Sequence, residues 1–387
     1  MNILFISNDP NIFKEGSAVR LRMRAYADAF AASHGGTLHI LSRAARTEVI
    51  TDGTLVLHGV RAGKLGALLR FPGIAHAIIH SESIAIVSAQ DPFEHGWIAM
   101  KAVQGTDAKL HIQVHTDFLS PWFTRGHIYR SPRVRMPLLN RIRRRMAGPV
   151  LRHADGIRAV SHRVADSIVK RYGRNVPVPS VIPIAVDVNV PTPAPLPPHP
   201  FTFALIAVGR LEPEKRVEDI IAVVARLKDA YPTLGAFIVG EGRERAKLER
   251  MARRKDLEDR IVFLGARADA RALMASAQCF VQASAYEGYG LTLIEAALAR
   301  VPIVTSDVGI VGEVFTGYHE VLSAPVADPT NFAAHIAWLI EDHEARRELA
   351  MQAEKRAREH LAETDSSPEA VIGDLVRLVS NASEMVN

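Results

Sequence analysis

Cysteine is almost absent from this sequence: Cys279 is the only one in 387 residues. A lone thiol cannot build a disulfide framework, which excludes the small disulfide-stapled class and is compatible with a reducing compartment. In the apolar run Gln278-Cys-Phe-Val281 it reads as a small hydrophobe on a buried strand, not a catalytic nucleophile. Long hydrophobic runs are absent too. Nothing approaches the roughly 18–20 consecutive apolar residues of a membrane-spanning helix. The opening stretch Met1-Asn-Ile-Leu-Phe-Ile-Ser-Asn-Asp-Pro10 has no basic region before its short apolar core. It is expected to form a first strand and not a signal peptide, and a cytoplasmic location follows as an expectation. The loop after it, Asn8–Ser17, lacks G-x-G-x-x-G, so the nicotinamide-dinucleotide fingerprint is missing. No apolar strand ends in an Asp-x-Asp pair, and Val186-Asp187-Val188 offers one carboxylate only. No metal site and no resident cofactor are therefore expected.

What is present has the balance of a soluble globular protein of two domains. Hydrophobic residues make up 48% and charged residues 23%, the balance of a globular chain, and the length suits two domains of roughly 180 residues. Charge is unevenly spread. Residues 1–190 carry 25 Lys+Arg against 13 Asp+Glu, whereas residues 191–387 carry 22 against 29. The basic half fits an anionic partner or a merely solvated face; composition alone leaves both open.

Apolar strands alternate with helical patterns along the whole chain. Strands are expected at 3–6, 38–41, 55–60, 84–88, 110–115 and 156–160, then at 203–208, 236–239, 261–264, 279–282, 301–305 and 321–323. Val19, Met23, Tyr26 and Phe30 mark one face of a helix over 17–33, and further helices are expected at 216–229, 243–254, 290–300 and 330–341. Units of this kind build parallel, helix-covered sheets, so the fold class is α/β with two Rossmann-like domains. Pro191-Thr-Pro-Ala-Pro-Leu-Pro-Pro-His-Pro200 reads as an extended linker. The expected organisation is an N-terminal domain over 1–190, this linker over 191–200, a C-terminal domain over 201–365 and a final helical segment over 366–387. Open α/β sheets bind ligands beyond the carboxyl ends of their strands, so a cleft between two such domains is where motifs should collect.

The most informative segment is Ala283-Ser-Ala-Tyr-Glu-Gly-Tyr-Gly-Leu-Thr-Leu-Ile-Glu-Ala-Ala-Leu-Ala-Arg300. A strand ends at its start, a loop with Gly288 and Gly290 follows, and a helix opens at Leu291. The glycines admit a ligand close to the main chain, and the free N–H groups of a helix start favour a phosphate. Glu287 lies in the loop. Glu295 lies one turn into the helix, where a carboxylate can accept two ribose hydroxyls.

The frame E-G-Y-G-L-x3-E-A, with its Glu-x7-Glu pair, resembles the donor-site signature of the retaining glycosyltransferases of family 4, also called group 1, which have the GT-B fold. Val208-Gly-Arg-Leu-Glu-Pro-Glu-Lys-Arg216 is similar to that family's G-R-L-x3-K segment. The resemblance implies that Arg210 and Lys215 contact the donor diphosphate, where fixed cations stabilise the charge on the leaving group. It implies donor contacts from Gly288, Tyr289, Gly290 and Leu291, a ribose contact from Glu295 and a sugar contact from Glu287. Ile238-Val-Gly-Glu-Gly242 matches the family's I-V-G-x-G turn. Thr305-Ser-Asp-Val-Gly-Ile310 departs from S-D-x-G-G at Ile310, and Ile182-Pro-Ile-Ala-Val-Asp187 departs from I-P-N-G-V-D at Ile184 and Ala185.

In the N-terminal half, Leu110-His-Ile-Gln-Val-His115 ends a strand, and in the family such a histidine reaches the donor sugar; His115 is thus a catalytic candidate. His111 is a strand residue: four residues apart on a strand is roughly 13 Å, too far for the two histidines to share one metal. By the same resemblance Gly16 lies against the donor diphosphate or the acceptor, with Arg20 a further partner. The stretch from Arg125 to Arg145 holds Arg125, Arg130, Arg133, Arg135, Arg141, Arg143, Arg144 and Arg145 without an acid, and Leu138, Leu139, Ile142 and Met146 fall on one helical face. Such a segment suits an anionic membrane surface or a lipid-phosphate acceptor, with Gly148-Pro149 ending or kinking it. No zinc finger or stacking motif accompanies it, so no nucleic-acid partner is expected.

The resemblance implies a metal-independent retaining hexosyltransferase whose acceptor binds against the N-terminal domain and whose final helix, within 366–387, packs back on that domain. It would use a nucleotide-diphosphate sugar and a sugar or lipid-linked acceptor, in bacterial surface polysaccharide or glycolipid synthesis. The alternatives are a nucleotide-sugar 2-epimerase on the same fold and an inactive nucleotide-binding scaffold.

Overall fold

The computed structural model describes residues 1–7, 9–125, 138–189 and 192–384. It divides into two compact units, each with its own parallel sheet. The first comprises Met1–Leu119, Pro137–Pro183 and the chain from Asp365 on; the second comprises Ser120–Met136 and Ile184–Thr364.

The first sheet has eight strands: β1 Asn2–Ile6, β2 Leu38–Ala44, β3 Glu48–Asp52, β4 Leu55–Arg61, β5 Ile84–Ala89, β6 Lys109–Val114, β7 Gly156–Ala159 and β8 Ser180–Val181, in the order β3-β4-β2-β1-β5-β6-β7-β8. All neighbours are parallel except β3 and β4. The central strand β1 reads N-I-L-F-I because helices cover both its faces; Ile3, Leu4, Phe5 and Ile6 are fully buried. The strands β3 and β8 were not expected from the sequence. β3 is a half-exposed edge strand with charged ends, and β8 is two residues long, so neither carries an apolar run.

The second sheet has six parallel strands: β9 Phe203–Val208, β10 Leu234–Val239, β11 Ile261–Gly265, β12 Cys279–Gln282, β13 Ile303–Ser306 and β14 Leu322–Ala324, in the order β11-β10-β9-β12-β13-β14. The chain leaves β9 toward β10 on one side and returns through β12 on the other. The order therefore reverses beside β9, at whose carboxyl end an open α/β sheet binds its ligands.

Two details differ from the sequence reading. The proline run does not stand free: the Ala194 N–H donates to Ala272 O at 3.1 Å and Ser276 Oγ donates to Ala194 O at 2.7 Å, which tie it to the second unit. The chain has already changed units at Pro183/Ile184. Nor does Gly148-Pro149 end its helix, which runs from Leu138 to His153 with Pro149 inside it and with Ala147, Gly148, Val150 and Leu151 buried. Packing of that face outweighs the one hydrogen bond proline removes. Arg130, Arg133 and Arg135 lie outside the described residues, as does the side chain of Arg125.

The helix Pro368–Glu384 belongs to the first unit. Val371, Ile372 and Leu375 join a core with Phe5, Met23, Phe30 and Ile86. Asp374 accepts from Ser180 Oγ at 2.6 Å and sits 3.2 Å from His111 Nε2. These contacts hold the Asp374 carboxyl below the usual range against the opposing effect of burial, which is the largest single influence on it. His111 is thus a buried structural histidine.

Candidate active site

The second unit assembles its site at the carboxyl ends of β9, β10 and β12. After β9 the chain turns through Gly209 and Arg210 into a short 3-10 turn, Pro213–Lys215, and then into helix Val217–Leu227. Lys215 is ion-paired with Glu287, so the two motifs found far apart in the sequence meet through their side chains. Arg210 is largely exposed and reaches Glu214 at 3.1 Å. A surface pair of that kind is worth little, which leaves Arg210 available to a stronger anion.

Arg216, next to Lys215, is held in the left-handed region at φ +51° yet is completely buried. Its guanidinium bonds Asp219 at 2.8 Å and lies 5.7 Å from the centre of the Trp122 ring. Burial pushes the Asp219 carboxyl up to about 6, an effect that Arg216 opposes. A strained backbone position is occupied here by a side chain with two partners, and Lys215 is fixed by its neighbour.

The loop after β12 carries Glu287 to Gly290. Gly290 has φ +97° and caps helix Leu291–Leu298, whose first N–H groups have no carbonyl within the helix. The loop 307–310 packs directly on it. A Cβ on Gly309 would stand 2.3 Å from Tyr289 O and 3.0 Å from Glu287 Cβ, and the Ile310 N–H donates to Tyr289 O at 2.9 Å. Ile310 is itself a core residue, so the close approach is made at Gly309. A second close approach joins the turns after β9 and β10: Gly240, at φ +141°, would place a Cβ 1.8 Å from Gly209 O.

Glu295 is half-buried, and among the described residues its carboxylate has no hydrogen bond or ion pair. Burial raises its pKa, with the Arg271 cation opposing. Tyr289 is placed otherwise than its motif suggests. The ring is buried and its hydroxyl lies 2.8 Å from His360 Nε2, so only its main chain is at the loop.

Three polar groups escaped the sequence reading. Gln282 Nε2, Ser284 Oγ and Ser306 Oγ are buried with no hydrogen-bond partner among the described residues. Thr292 Oγ1 donates to Gln282 Oε1 at 2.6 Å, which fixes the amide and turns Nε2 away from any acceptor. Gln282 and Ser284 line a small cavity with Gly209, Arg210 and Lys215. Unsatisfied buried donors beside cations are what a ligand rich in oxygen acceptors would complete. The only signal in the sequence was polarity at the end of an apolar strand.

The first unit places the other candidates separately. Gly16, at φ +71°, precedes Ser17, whose hydroxyl caps helix Ala18–His34 by accepting the Arg20 N–H at 3.2 Å. Nothing stands within 4 Å of where a Cβ on Gly16 would lie. Arg20 is engaged by Asp52 through Nε at 3.1 Å and Nη2 at 2.9 Å. His115 follows β6. Its Nε2 is 3.1 Å from Gln113 Oε1, which also accepts from Arg158 Nη1 at 3.2 Å. Arginine can only donate, so the Gln113 oxygen faces both groups and the His115 proton sits on Nε2. Burial and the Arg158 cation push His115 down to about 3, so at neutral pH it is an uncharged imidazole with Nδ1 as an acceptor.

Two parallel-sheet α/β units, with glycine loops, cations and an open helix start at the carboxyl ends of the second, define the GT-B class of fold. Solved structures bear this out. Sucrose-phosphate synthase from Thermosynechococcus elongatus superposes with a TM-score of 0.78 at 18% identity, over 98% of this chain and 99% of that one. Anabaena HepE in complex with UDP and glucose superposes with a TM-score of 0.70 at 20% identity, over 100% and 99%.

Residues 201–356 match the family described as glycosyl transferases group 1, and residues 23–190 match glycosyltransferase family 4. The chain belongs to the group 1 glycosyltransferases. Among curated proteins, it is 32% identical over 210 residues to a glycogen synthase of Mycobacterium tuberculosis, covering 54% of this chain and 50% of that protein. It is 29% identical over 171 residues to the N-acetyl-alpha-D-glucosaminyl L-malate synthase of Bacillus anthracis, covering 43% and 42%. The matches span about half the length of these relatives or less.

Proposed function

We propose that the protein is a metal-independent glycosyltransferase that moves a hexosyl group, with retention of configuration, from a nucleoside-diphosphate sugar to a sugar or lipid-linked acceptor. The observation that carries this reading is the unpartnered Glu295 carboxylate, one turn inside the helix whose preceding loop joins Glu287 to Lys215. Membership of the family supports it, as do relatives named for sugar transfer.

Glu295 takes the ribose hydroxyls. Arg210, Lys215 and the first N–H groups of helix Leu291–Leu298 take the diphosphate, whose charge grows as the glycosidic bond to it breaks. In the free protein Lys215 and Glu287 neutralise each other. An arriving diphosphate competes for Lys215 and frees Glu287 for the hydroxyls of the donor sugar. Gln282 Nε2 and Ser284 Oγ, which lack partners, supply further donors. His115, uncharged, offers Nδ1 to a sugar hydroxyl without adding a positive charge beside the anomeric carbon.

In helix Leu138–His153, Leu138, Leu139 and Ile142 are exposed beside Arg141 and Arg145, a composition suited to an anionic lipid surface. This fits a cytoplasmic enzyme that meets a lipid-linked acceptor at the inner face of the membrane, in surface polysaccharide or glycolipid synthesis. Indifference to anionic vesicles at low salt would remove that part of the reading.

The decisive experiment is calorimetric titration with UDP, GDP, ADP and NAD in the presence of EDTA, on the wild type and on Glu295→Ala. One nucleoside diphosphate should bind preferentially, with roughly 10- to 100-fold weaker binding in the variant, as expected for loss of charged hydrogen bonds. Binding of NAD alone, or of no nucleotide without metal, would overturn the reading.

A further inference from the structure

At the amino ends of β12 and β13, the end of the second sheet away from the nucleotide loops, lies a groove of about 820 Å³. Gln278 and Pro302 mark this end, and six residues of extended chain between Gln278 and Ser284 correspond to about 20 Å. The groove is therefore separate from the candidate active site. One wall is a face of helix His343–Glu363, and the other carries Arg300 from the end of helix Leu291–Leu298.

Five cations line this groove, Arg300, Arg346, Arg347, Lys355 and Arg358, against one carboxylate, Glu354. That carboxylate is already held twice, by Arg300 and by Arg358 at 2.9 Å, and is 10% exposed. Arg347 and Lys355 are exposed and have no partner among the described residues. This concentration stands in a half of the chain with an excess of acids, 29 against 22 basic residues. Arg300 adds an independent sign. It occupies a left-handed position at φ +56°, just past a helix end where glycine is the unstrained choice, and its side chain is directed to the groove.

We infer that this groove is a second anion site, distinct from the donor site, which takes a phosphate-bearing group with at least two negative charges. Four of the five cations are arginines, whose planar forks match phosphate oxygens in pairs. The volume lies in the range of small-molecule sites, and apart from the His343 ring no Phe, Tyr or Trp lines the groove to stack successive bases, which disfavours nucleic acid. The phosphate can belong to a soluble phosphorylated metabolite or to a lipid headgroup.

The test uses the full chain and inorganic pyrophosphate as the calorimetric probe, with EDTA present. Wild type, a donor-side variant (Arg210→Ala with Lys215→Ala) and a groove variant (Arg347→Glu with Lys355→Glu) are compared. Arg347 and Lys355 are exposed and unpaired, so their reversal leaves the fold intact, which circular dichroism checks. Two pyrophosphate sites are expected in the wild type, one weakened at least tenfold in each variant. Loss of a site in the groove variant alone would uphold the groove and sink the donor reading. Unchanged binding in the groove variant would overturn the groove and leave the donor reading standing.

Two further arms identify the source. Competition by glycerol 3-phosphate that disappears in the groove variant assigns a soluble ligand. Sedimentation with phosphatidylglycerol vesicles that falls in the groove variant, without such competition, assigns a headgroup.

Discussion

Lys215 and Glu287, 72 positions apart in the chain, neutralise each other in the free protein, so their separate loss should have different consequences. Glu287→Ala leaves Lys215 unpaired and better able to hold a diphosphate, so nucleotide affinity should stay within a few-fold of wild type while sugar transfer is abolished. Unimpaired turnover in that variant would remove Glu287 from the mechanism. Glu287, Glu295, Arg210 and Lys215 could be singled out in the sequence because their spacing is carried by one loop-helix segment and one strand-turn segment. Gln282, Ser284 and Ser306 were not, since a single polar residue at a strand end has no period or partner to mark it. The role of Tyr289 was hidden for the opposite reason. It stands inside the motif, but its ring finds His360, which lies 71 residues away.

Elements were legible in proportion to their apolar content. β9 is an unbroken run of apolar and small residues, β12 is apolar up to its closing Gln282, and both were bounded correctly, whereas helix His343–Glu363 went unseen. Half of the residues this helix buries are alanines, Ala350, Ala353 and Ala357, and most of its remaining surface is polar or charged, so no strong periodicity shows. Two predictions belong to this scale. Gly240→Ala should destabilise the second unit by on the order of 3 kcal/mol and weaken nucleotide binding, because the new methyl overlaps the Gly209 carbonyl. A urea midpoint equal to wild type would contradict the geometry.

The second concerns β2 and β4, where His39 Nδ1 and His58 Nε2 meet at 3.0 Å. Burial and the neighbouring ring push His58 down to about 4 from its ordinary 6.5. The unfolded chain therefore binds more protons between those values, and the stability this histidine contributes above pH 6.5 is lost as pH falls toward 4. Urea midpoints followed from pH 7 to 4 should decline less steeply in His58→Gln than in wild type.

For the whole molecule, the α/β class and the presence of two sheets followed from alternation of strands and helices. The seams did not. A run of six prolines in ten residues reads as a joint, yet the chain passes between units at Pro183/Ile184, where no composition change occurs. Arg158 holds that point, donating to Ile182 O at 3.1 Å and Pro183 O at 2.8 Å, a contact only the folded sheet creates. Removing the chain from Asp365 onward would strip Val371, Ile372 and Leu375 from the first core and leave His111 without its carboxylate. Such a truncation should leave the first unit unfolded and the main segment of the second, Ile184–Thr364, folded. Limited proteolysis would then yield a resistant fragment beginning near residue 184, and equal resistance of both halves would refute this.

That same helix sets an order of events during synthesis. The first unit is translated first, but its core is closed by residues that emerge from the ribosome after the entire second unit has been made. Until then Phe5, Met23, Phe30 and Ile86 lack their covering helix, while the main segment of the second unit, from Ile184 to Thr364, can complete its own sheet. The unit translated earlier of the two therefore matures last, and the interval in which its apolar face stands open is when the nascent chain most needs a chaperone.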